Sequence, residues 1–358
     1  MRLVISGYYG FHNVGDEAIL YSIIQALRQQ QPDIDIVVLS NDPTFTKKAY
    51  GVEAVNRWSL KEIIRALRES DGLISGGGSL LQDKTGWRSI PYYTGVMQLA
   101  KRLGKPVMVY AQGIGPVEQI QNKWLVKNTM NKVDLITVRD EESKQLLESL
   151  NVDKTIKVVP DPVMGLSVTS LQSEWWSSQS FQKPVVAVSV REWPCEHDFK
   201  RKIALALDRC VEEGYEVVFV PMHGKHDEET SKQVAAMMEK KAWIAPYDAS
   251  IEEKIAIIAQ ATVLVGMRLH SLIFASITNT PFIALSYDPK IDAFAKQAQQ
   301  LVFAHVEDEK WDGLALFDEV RKRVEQHEQY QAQLMDAVRP LKETARETAA
   351  EAIALFKK

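Results

Sequence analysis

Only two cysteines, Cys195 and Cys210, occur in the 358 residues, and they form no C-x-x-C pair. That excludes a disulfide framework and a cysteine zinc site, and a reducing, cytoplasmic setting is the simpler reading. No apolar run approaches the roughly 20 residues of a membrane span. The chain starts Met1-Arg2 and passes directly into a strand-like run, Leu3 to Ser6, so no secretory leader is expected. Charge of one sign is not in excess. The formal net charge of -4 gives no global reason to expect a nucleic-acid partner. Several chemical signatures are missing as well. There is no G-x-x-x-x-G-K-[ST] phosphate loop, no H-E-x-x-H metal helix and no G-x-S-x-G nucleophile elbow. Glycines 7, 10 and 15 are wrongly spaced for G-x-G-x-x-G, which disfavours a nicotinamide-dependent dehydrogenase.

What is present is a regular alternation of short β-rich runs with amphipathic ones. Strands are expected at Leu3–Ser6, Ile34–Leu39, Gly72–Ser75, Val107–Ala111, Leu135–Val138 and Ile156–Val159. A second series follows at Val185–Val190, Glu216–Val220, Ala242–Ile244, Ala261–Val265, Phe282–Leu285 and Leu301–Ala304. This is the pattern of parallel α/β units, and its length suits two doubly wound domains. The break is drawn in the serine- and tryptophan-rich stretch 165–184. The resulting domains are residues 1–170 and 180–325, with a helical tail at 326–358 that Pro340 should kink or split.

Polar and glycine-rich segments follow the strand runs, and in an open parallel sheet that edge is where ligands bind. After the first strand comes Gly7-Tyr-Tyr-Gly-Phe-His-Asn-Val-Gly-Asp-Glu17. Asn13 reads as a turn residue or a ligand contact. Asp16 and Glu17 read as helix-start carboxylates or as partners for hydroxyl groups. Gly76-Gly-Gly-Ser-Leu-Leu-Gln-Asp83 offers bare amides at Gly77 and Gly78, with Gln82 and Asp83 as candidate sugar-hydroxyl partners. Gln112 and Arg139 follow later strands, Arg139 as an ion-pair residue or an anion clamp. In the second half, His223, His226 and Asp227 lie close in sequence but imply no third metal ligand, so no metal is expected. Met267-Arg-Leu-His-Ser271 and Lys290 put two cations and a titratable ring at strand ends, which points to an anionic substrate. Trp193 and Tyr287 are rings able to stack on a sugar or simply to pack.

Taken in order, residues 7–17, 76–83, Gln-Gly-Ile-Gly-Pro at 112–116 and Met-Arg-Leu-His-Ser at 267–271 resemble the polysaccharide pyruvyl transferase family. The nearest likeness is to bacterial ketal-pyruvyl transferases of secondary cell-wall polymer synthesis. The resemblance covers about residues 1–300. It implies an α/β fold of two Rossmann-like doubly wound domains facing a cleft, as in the GT-B glycosyltransferases. It implies phosphoenolpyruvate as donor substrate, no further cofactor, and a 4,6-pyruvate ketal as product. The implied acceptor is N-acetylmannosamine on a lipid-linked oligosaccharide, within a pathway that supplies anchors for surface-layer proteins. A cytoplasmic protein in peripheral contact with the inner membrane face is the matching expectation. Lys47, Lys48, Lys61, Arg65 and Arg68 are candidates for a basic strip there, although a solvated helix face is the plainer reading.

On this resemblance Arg139, Arg268, Leu269, His270, Ser271 and Lys290 hold the donor, and His270 is the general acid. Arg139, Arg268 and Lys290 complete the catalytic set. Asn13, Asp16, Glu17, Gly77, Gly78, Gln82 and Asp83 serve the acceptor. Two other readings compete. One is a GT-B glycosyltransferase using a nucleotide sugar, and the other is a lectin-like module, for which a cluster of charged groups would be unnecessary.

Overall fold

The computed structural model describes residues 1–83, 86, 88–168 and 171–357. The chain divides into two compact units, Met1–Leu166 with Leu341–Lys358, and Ser167–Pro340. Each is built on one parallel sheet.

In the first unit the strands are β1 (Arg2–Ser6), β2 (Asp35–Ser40), β3 (Glu53–Asn56), β4 (Gly72–Ser75), β5 (Gly78–Leu81), β6 (Val107–Ile114), β7 (Leu135–Val138) and β8 (Ile156–Val158). They lie in the order β3-β2-β1-β4-β6-β7-β8, with β5 paired to β6. In the second unit β9 (Val185–Ser189), β10 (Glu216–Phe219), β11 (Trp243–Ile244), β12 (Val263–Gly266), β13 (Phe282–Ser286) and β14 (Leu301–His305) lie in the order β11-β10-β9-β12-β13-β14. Central strands such as Val-Val-Ala-Val-Ser of β9 and Phe-Ile-Ala-Leu-Ser of β13 are buried throughout. Helices covering both faces of a parallel sheet require that continuous apolar character. Side chains alternate between faces. Val4, Val37, Leu73 and Val109 join one core with Leu67 and Met97, whereas Leu3 and Ile5 of β1 are buried outside that cluster.

Twelve of these strands coincide with the expected runs to within a residue or two at the ends, save that β6 runs on to Ile114. Two were not foreseen. β3 has a single buried residue, Ala54, and so carries little hydrophobic pattern. β5 begins at Gly78 and was read as loop because of its glycines.

The C-terminal segment is one helix, His327–Phe356, that continues through Pro340 and is not split there. It does not stand as a tail of its own. Its first half belongs to the second unit, where Gln331 donates to the Asn279 carbonyl. Its last half belongs to the first unit. There Lys157 pairs with Glu351 at 2.7 Å, Ala345 lies against Gly165, and the Phe356 ring covers Gly72 at the start of β4. Phe356 is 7% exposed. Phe356→Ala should therefore cost the first unit about 3 kcal/mol through lost burial and the cavity left behind. Urea unfolding monitored by segment-resolved hydrogen exchange should show the loss around β4, with the second unit unchanged.

Candidate functional site

Each sheet reverses strand order once, between β1 and β4 in the first unit and between β9 and β12 in the second. The carboxyl ends flanking such a reversal are where an open α/β sheet offers a ligand crevice. In the first unit these ends are Ser6 and Ser75, which pair in register; in the second they are Ser189 and Gly266. The candidate residues thus fall into two groups, described unit by unit.

In the first unit, β1 runs into the loop that ends at helix Val14–Gln30. Asn13 is the N-cap, accepting from the Gly15 N–H at 3.0 Å. Glu17 is turned inward and is only 3% exposed. Its Oε1 accepts from the Gly10 N–H at 2.8 Å and its Oε2 from the Tyr50 hydroxyl at 2.7 Å. Burial raises its pKa, against the lowering effect of those same bonds. This carboxylate shapes the loop instead of meeting a sugar hydroxyl, because both its oxygens are already taken. Asp16, one residue earlier, is only partly buried, and its Oδ1 lies 2.8 Å from where a Cβ on Gly78 would stand.

That contact explains part of the glycine run. Gly78 has φ +92°, a conformation that side chains disfavour, and any side chain would also meet Asp16. Gly77 is required by packing, since a Cβ there would lie 2.9 Å from Ile19 Cγ2. The loop is stitched in place by Gln112, fully buried, whose amide donates to Ser75 Oγ at 3.3 Å and to the Gly76 carbonyl at 3.2 Å. Gln82 is half-buried just after β5. Asp83 is engaged elsewhere: it accepts from the Glu118 and Gln119 N–H groups and from the Asn122 amide, at the start of helix Ile120–Met130. Desolvation would raise its carboxyl, but those donors prevail and hold it below the ordinary value. It anchors a helix start and is a poor partner for a solute. Arg139 reaches back over this edge. Its guanidinium donates to Ser79 Oγ at 3.1 Å, lies against Gly113, and is within 3.7 Å of Asp161 and 3.8 Å of Asp140.

Sequence reasoning missed Arg57. It follows β3 and is only 4% exposed, yet among the described residues it meets no carboxylate within ion-pair distance. Its guanidinium donates to the Gly7 carbonyl at 2.8 Å and lies among the rings of Phe11, Trp58, Tyr92 and Tyr93, whose centroids are 4.3 to 5.4 Å away. Cation–π attraction and the backbone carbonyl replace a counter-ion. An arginine between Asn56 and Trp58 was the available signal, but it sits at the end of an unforeseen strand.

In the second unit, helix Leu269–Thr278 starts directly after β12, and no side chain caps it. Arg268 is its N-cap residue and His270 lies in its first turn, half-buried. An uncapped helix start beside a guanidinium is suited to an anion. Leu269 is 7% exposed and Ser271 fully buried; the Ser271 hydroxyl donates to the Arg268 carbonyl at 2.6 Å, which makes it a local brace. Arg268 also donates to both oxygens of Asp227, from Nε at 2.9 Å. Asp227 is fully buried and accepts from the Met222 N–H as well. Lys254, pulled down to about 8 by burial, donates to the carbonyls of Pro221, Pro246 and Tyr247 and so fixes the segment after β10 that carries His223. Burial, and then the Arg268 charge, lower the pKa of His223. Lys290 is the second residue of helix Pro289–Gln297 and pairs with Asp288 at 3.1 Å. The suggested basic strip is not of one sign: Lys47 and Arg65 share a groove with Glu53, Glu62 and Glu69.

A model of the polysaccharide pyruvyl transferases matches residues 13–289. The chain belongs to this family. It is therefore a transferase of polysaccharide biosynthesis that acts on a sugar-containing acceptor. The amylovoran biosynthesis protein AmsJ of Erwinia amylovora is 22% identical, with 83% of this chain and 86% of AmsJ covered. Among solved structures, a putative UDP-N-acetylglucosamine 2-epimerase from Listeria monocytogenes aligns with TM-score 0.71 at 11% identity, over 99% of this chain and 95% of its own. Anabaena HepE in complex with UDP-glucose aligns with TM-score 0.66 at 11% identity, over 99% of both chains. Escherichia coli ADP-heptose heptosyltransferase II aligns with TM-score 0.53 at 16% identity, over 92% of this chain and 100% of its own. These likenesses show a GT-B-like fold. Among the described residues, no helix is long and apolar enough to cross a membrane.

Two outcomes follow from the buried carboxylates. Removing Arg268 strands Asp227, so Arg268→Ala should destabilise the second unit by about 3–5 kcal/mol. A matching fall in thermal midpoint would show that lost activity in this variant has a structural component. Glu17 titrates above its ordinary value of 4.5 in the folded state. Its ionisation therefore destabilises the fold as pH rises from about 4.5 through the folded pKa, and the cost stays constant above that. Glu17→Gln should flatten that slope. Parallel thermal melts of the two proteins across this window would check it.

Proposed function

We propose that the chain transfers pyruvate from phosphoenolpyruvate to a sugar diol as a 4,6-ketal and releases phosphate. The proposed acceptor is N-acetylmannosamine on a lipid-linked precursor. That acceptor brings the protein into peripheral contact with the cytoplasmic membrane face, and surface-layer anchoring is the downstream use. The observation that supports this reading best is the uncapped start of helix Leu269–Thr278, with Arg268 at its N-cap and His270 in its first turn. It combines an anion-holding helix end with an imidazole, a side chain suited to general acid work.

In the proposed reaction Arg268, Lys290 and the helix N–H groups hold the donor's phosphate and carboxylate, and Arg139 supplies a further cation. His270 donates a proton to the methylene carbon, turning it into a methyl group and leaving an oxocarbenium-like centre at C2. One sugar hydroxyl adds at C2 and loses its proton. The C2–O bond to phosphate breaks, the second hydroxyl closes the ring at C2, and its proton leaves. Asp16 is the carboxylate proposed to orient or deprotonate the acceptor; Glu17 and Asp83 are not assigned that role, given their partners. No redox cofactor is required, since neither substrate changes net oxidation state.

Incubation with phosphoenolpyruvate and a lipid-bearing N-acetylmannosaminyl-N-acetylglucosamine acceptor should release phosphate only when the acceptor is present. The product mass should increase by one pyruvyl ketal. His270→Ala should lower turnover by about 100-fold or more, the range expected for a general acid, while donor affinity by calorimetry stays near wild type. Stabilisation by a UDP-sugar and not by phosphoenolpyruvate would favour the nucleotide-sugar reading.

A further inference from the structure

The second unit's donor edge contains a cation to which no role has been given. Arg191 lies two residues beyond Ser189, the last residue of β9, and Arg268 lies two residues beyond Gly266, the last of β12. Ser189 and Gly266 are partners in the sheet, so the two arginines leave adjacent strand ends on either side of the order reversal. Their electrostatic situations differ. Arg268 is matched by a fully buried carboxylate that takes two of its donors, so the pair has little net charge. Arg191 meets no carboxylate within ion-pair distance among the described residues; the neighbouring Glu192 pairs with Lys200. Its contacts are neutral: Nε donates to the Glu192 carbonyl at 3.3 Å and an Nη to the Tyr287 hydroxyl at 2.7 Å. The Tyr287 ring lies 4.4 Å from the guanidinium and the Trp193 ring 5.3 Å away. Trp193 and Tyr287 pack together at 4.6 Å, and Trp193 is tied to Glu307.

The arrangement holds a guanidinium by two hydrogen bonds and two rings without neutralising it. Two of its five N–H donors are engaged in these bonds and the rest remain for a ligand. A cation with no counter-ion beside a neutralised ion pair is the stronger attractor for an anion. A planar fork also suits phosphate, which carries about −1.5 to −2 charge at neutral pH. His223 belongs to the same neighbourhood, since both Arg268 and Arg191 act on its titration.

We propose that Arg191, held by Tyr287, forms a phosphate subsite at the carboxyl end of β9 and supplies the net positive charge that the Arg268–Asp227 pair lacks. The subsite deepens the donor reading above and rests on it for the identity of the phosphate-bearing molecule. The enol phosphate of phosphoenolpyruvate and the pyrophosphate of a nucleotide share the required chemistry.

The test is calorimetric titration of wild type, Arg191→Gln and Arg191→Lys with inorganic phosphate, phosphoenolpyruvate and UDP, at two salt concentrations. Wild type is expected to bind phosphoenolpyruvate. Arg191→Gln should bind it roughly 10- to 150-fold more weakly, with a shallower dependence on salt, as expected for the loss of charge-assisted hydrogen bonds. Arg191→Lys should recover part of the loss, because the charge returns without the fork. The Gln variant should melt close to wild type, because no buried carboxylate loses its partner. Should it fail to fold, Tyr287→Phe gives the same comparison, with a several-fold weakening expected. Equal affinity of wild type and Arg191→Gln overturns the subsite and leaves the donor reading standing. Binding of UDP but not phosphoenolpyruvate, weakened by Arg191→Gln, keeps the subsite and overturns pyruvyl transfer. Wild type that binds none of the three probes overturns the subsite.

Discussion

The parallel direction of every strand in each sheet is the constraint on which the rest depends. Parallel pairing sends all carboxyl ends to one edge, and the single reversal of strand order leaves an opening there between neighbouring crossovers. The candidate residues come from segments far apart in the chain: the loop before Val14, the glycines after Ser75, Arg139 after β7, and Met267–Ser271 after β12. The first three lie at the carboxyl edge of the first unit's sheet and the last at the carboxyl edge of the second unit's sheet. The apolar strands Val-Val-Ala-Val-Ser and Phe-Ile-Ala-Leu-Ser set the positions, and the polar segments that follow them occupy those positions.

Charge within this framework is managed in three ways. Asp227 neutralises Arg268 and orients it, which builds a fixed guanidinium at the cost of much of its field. Arg57 is buried among aromatic rings with a backbone carbonyl for company, an arrangement that braces the loop around Gly7. Arg191 is braced by Tyr287 and keeps its charge. Carboxylates divide similarly. Glu17 and Asp83 organise backbone, whereas Asp16 lies partly open beside Gly78. The same residue types thus serve different ends, and the identity of their partners separates them.

Most of the fold was legible in the sequence because buried parallel strands are continuous apolar runs. β3 and β5 were not, since one is a sparsely buried edge strand and the other starts in glycine. The candidate residues were legible as positions at strand ends, and less so in their local partners. Residues 76–78 drew attention as bare amides for a ligand, yet packing against Ile19 and the approach of Asp16 account for Gly77 and Gly78. Glu17 and Asp83 looked like hydroxyl partners because their own partners, Tyr50 and the start of helix Ile120–Met130, lie more than 30 residues away in the chain. Asp227 and Arg268 are 41 residues apart, and no local pattern announces their pairing. The C-terminal helix read as helical throughout, but nothing in its charge pattern revealed that its last half belongs with the first unit.

The proposed pyruvyl transfer turns on protonation of the donor's methylene carbon followed by attack of two sugar hydroxyls. Its most direct test is the reaction of phosphoenolpyruvate with the sugar acceptor in heavy water, with the product read by mass spectrometry and proton NMR. Pyruvyl transfer as described here predicts a ketal whose methyl group carries one solvent deuterium, formed together with phosphate. A product whose methyl group contains no solvent deuterium, or a product that has gained a sugar in place of a ketal, would contradict it.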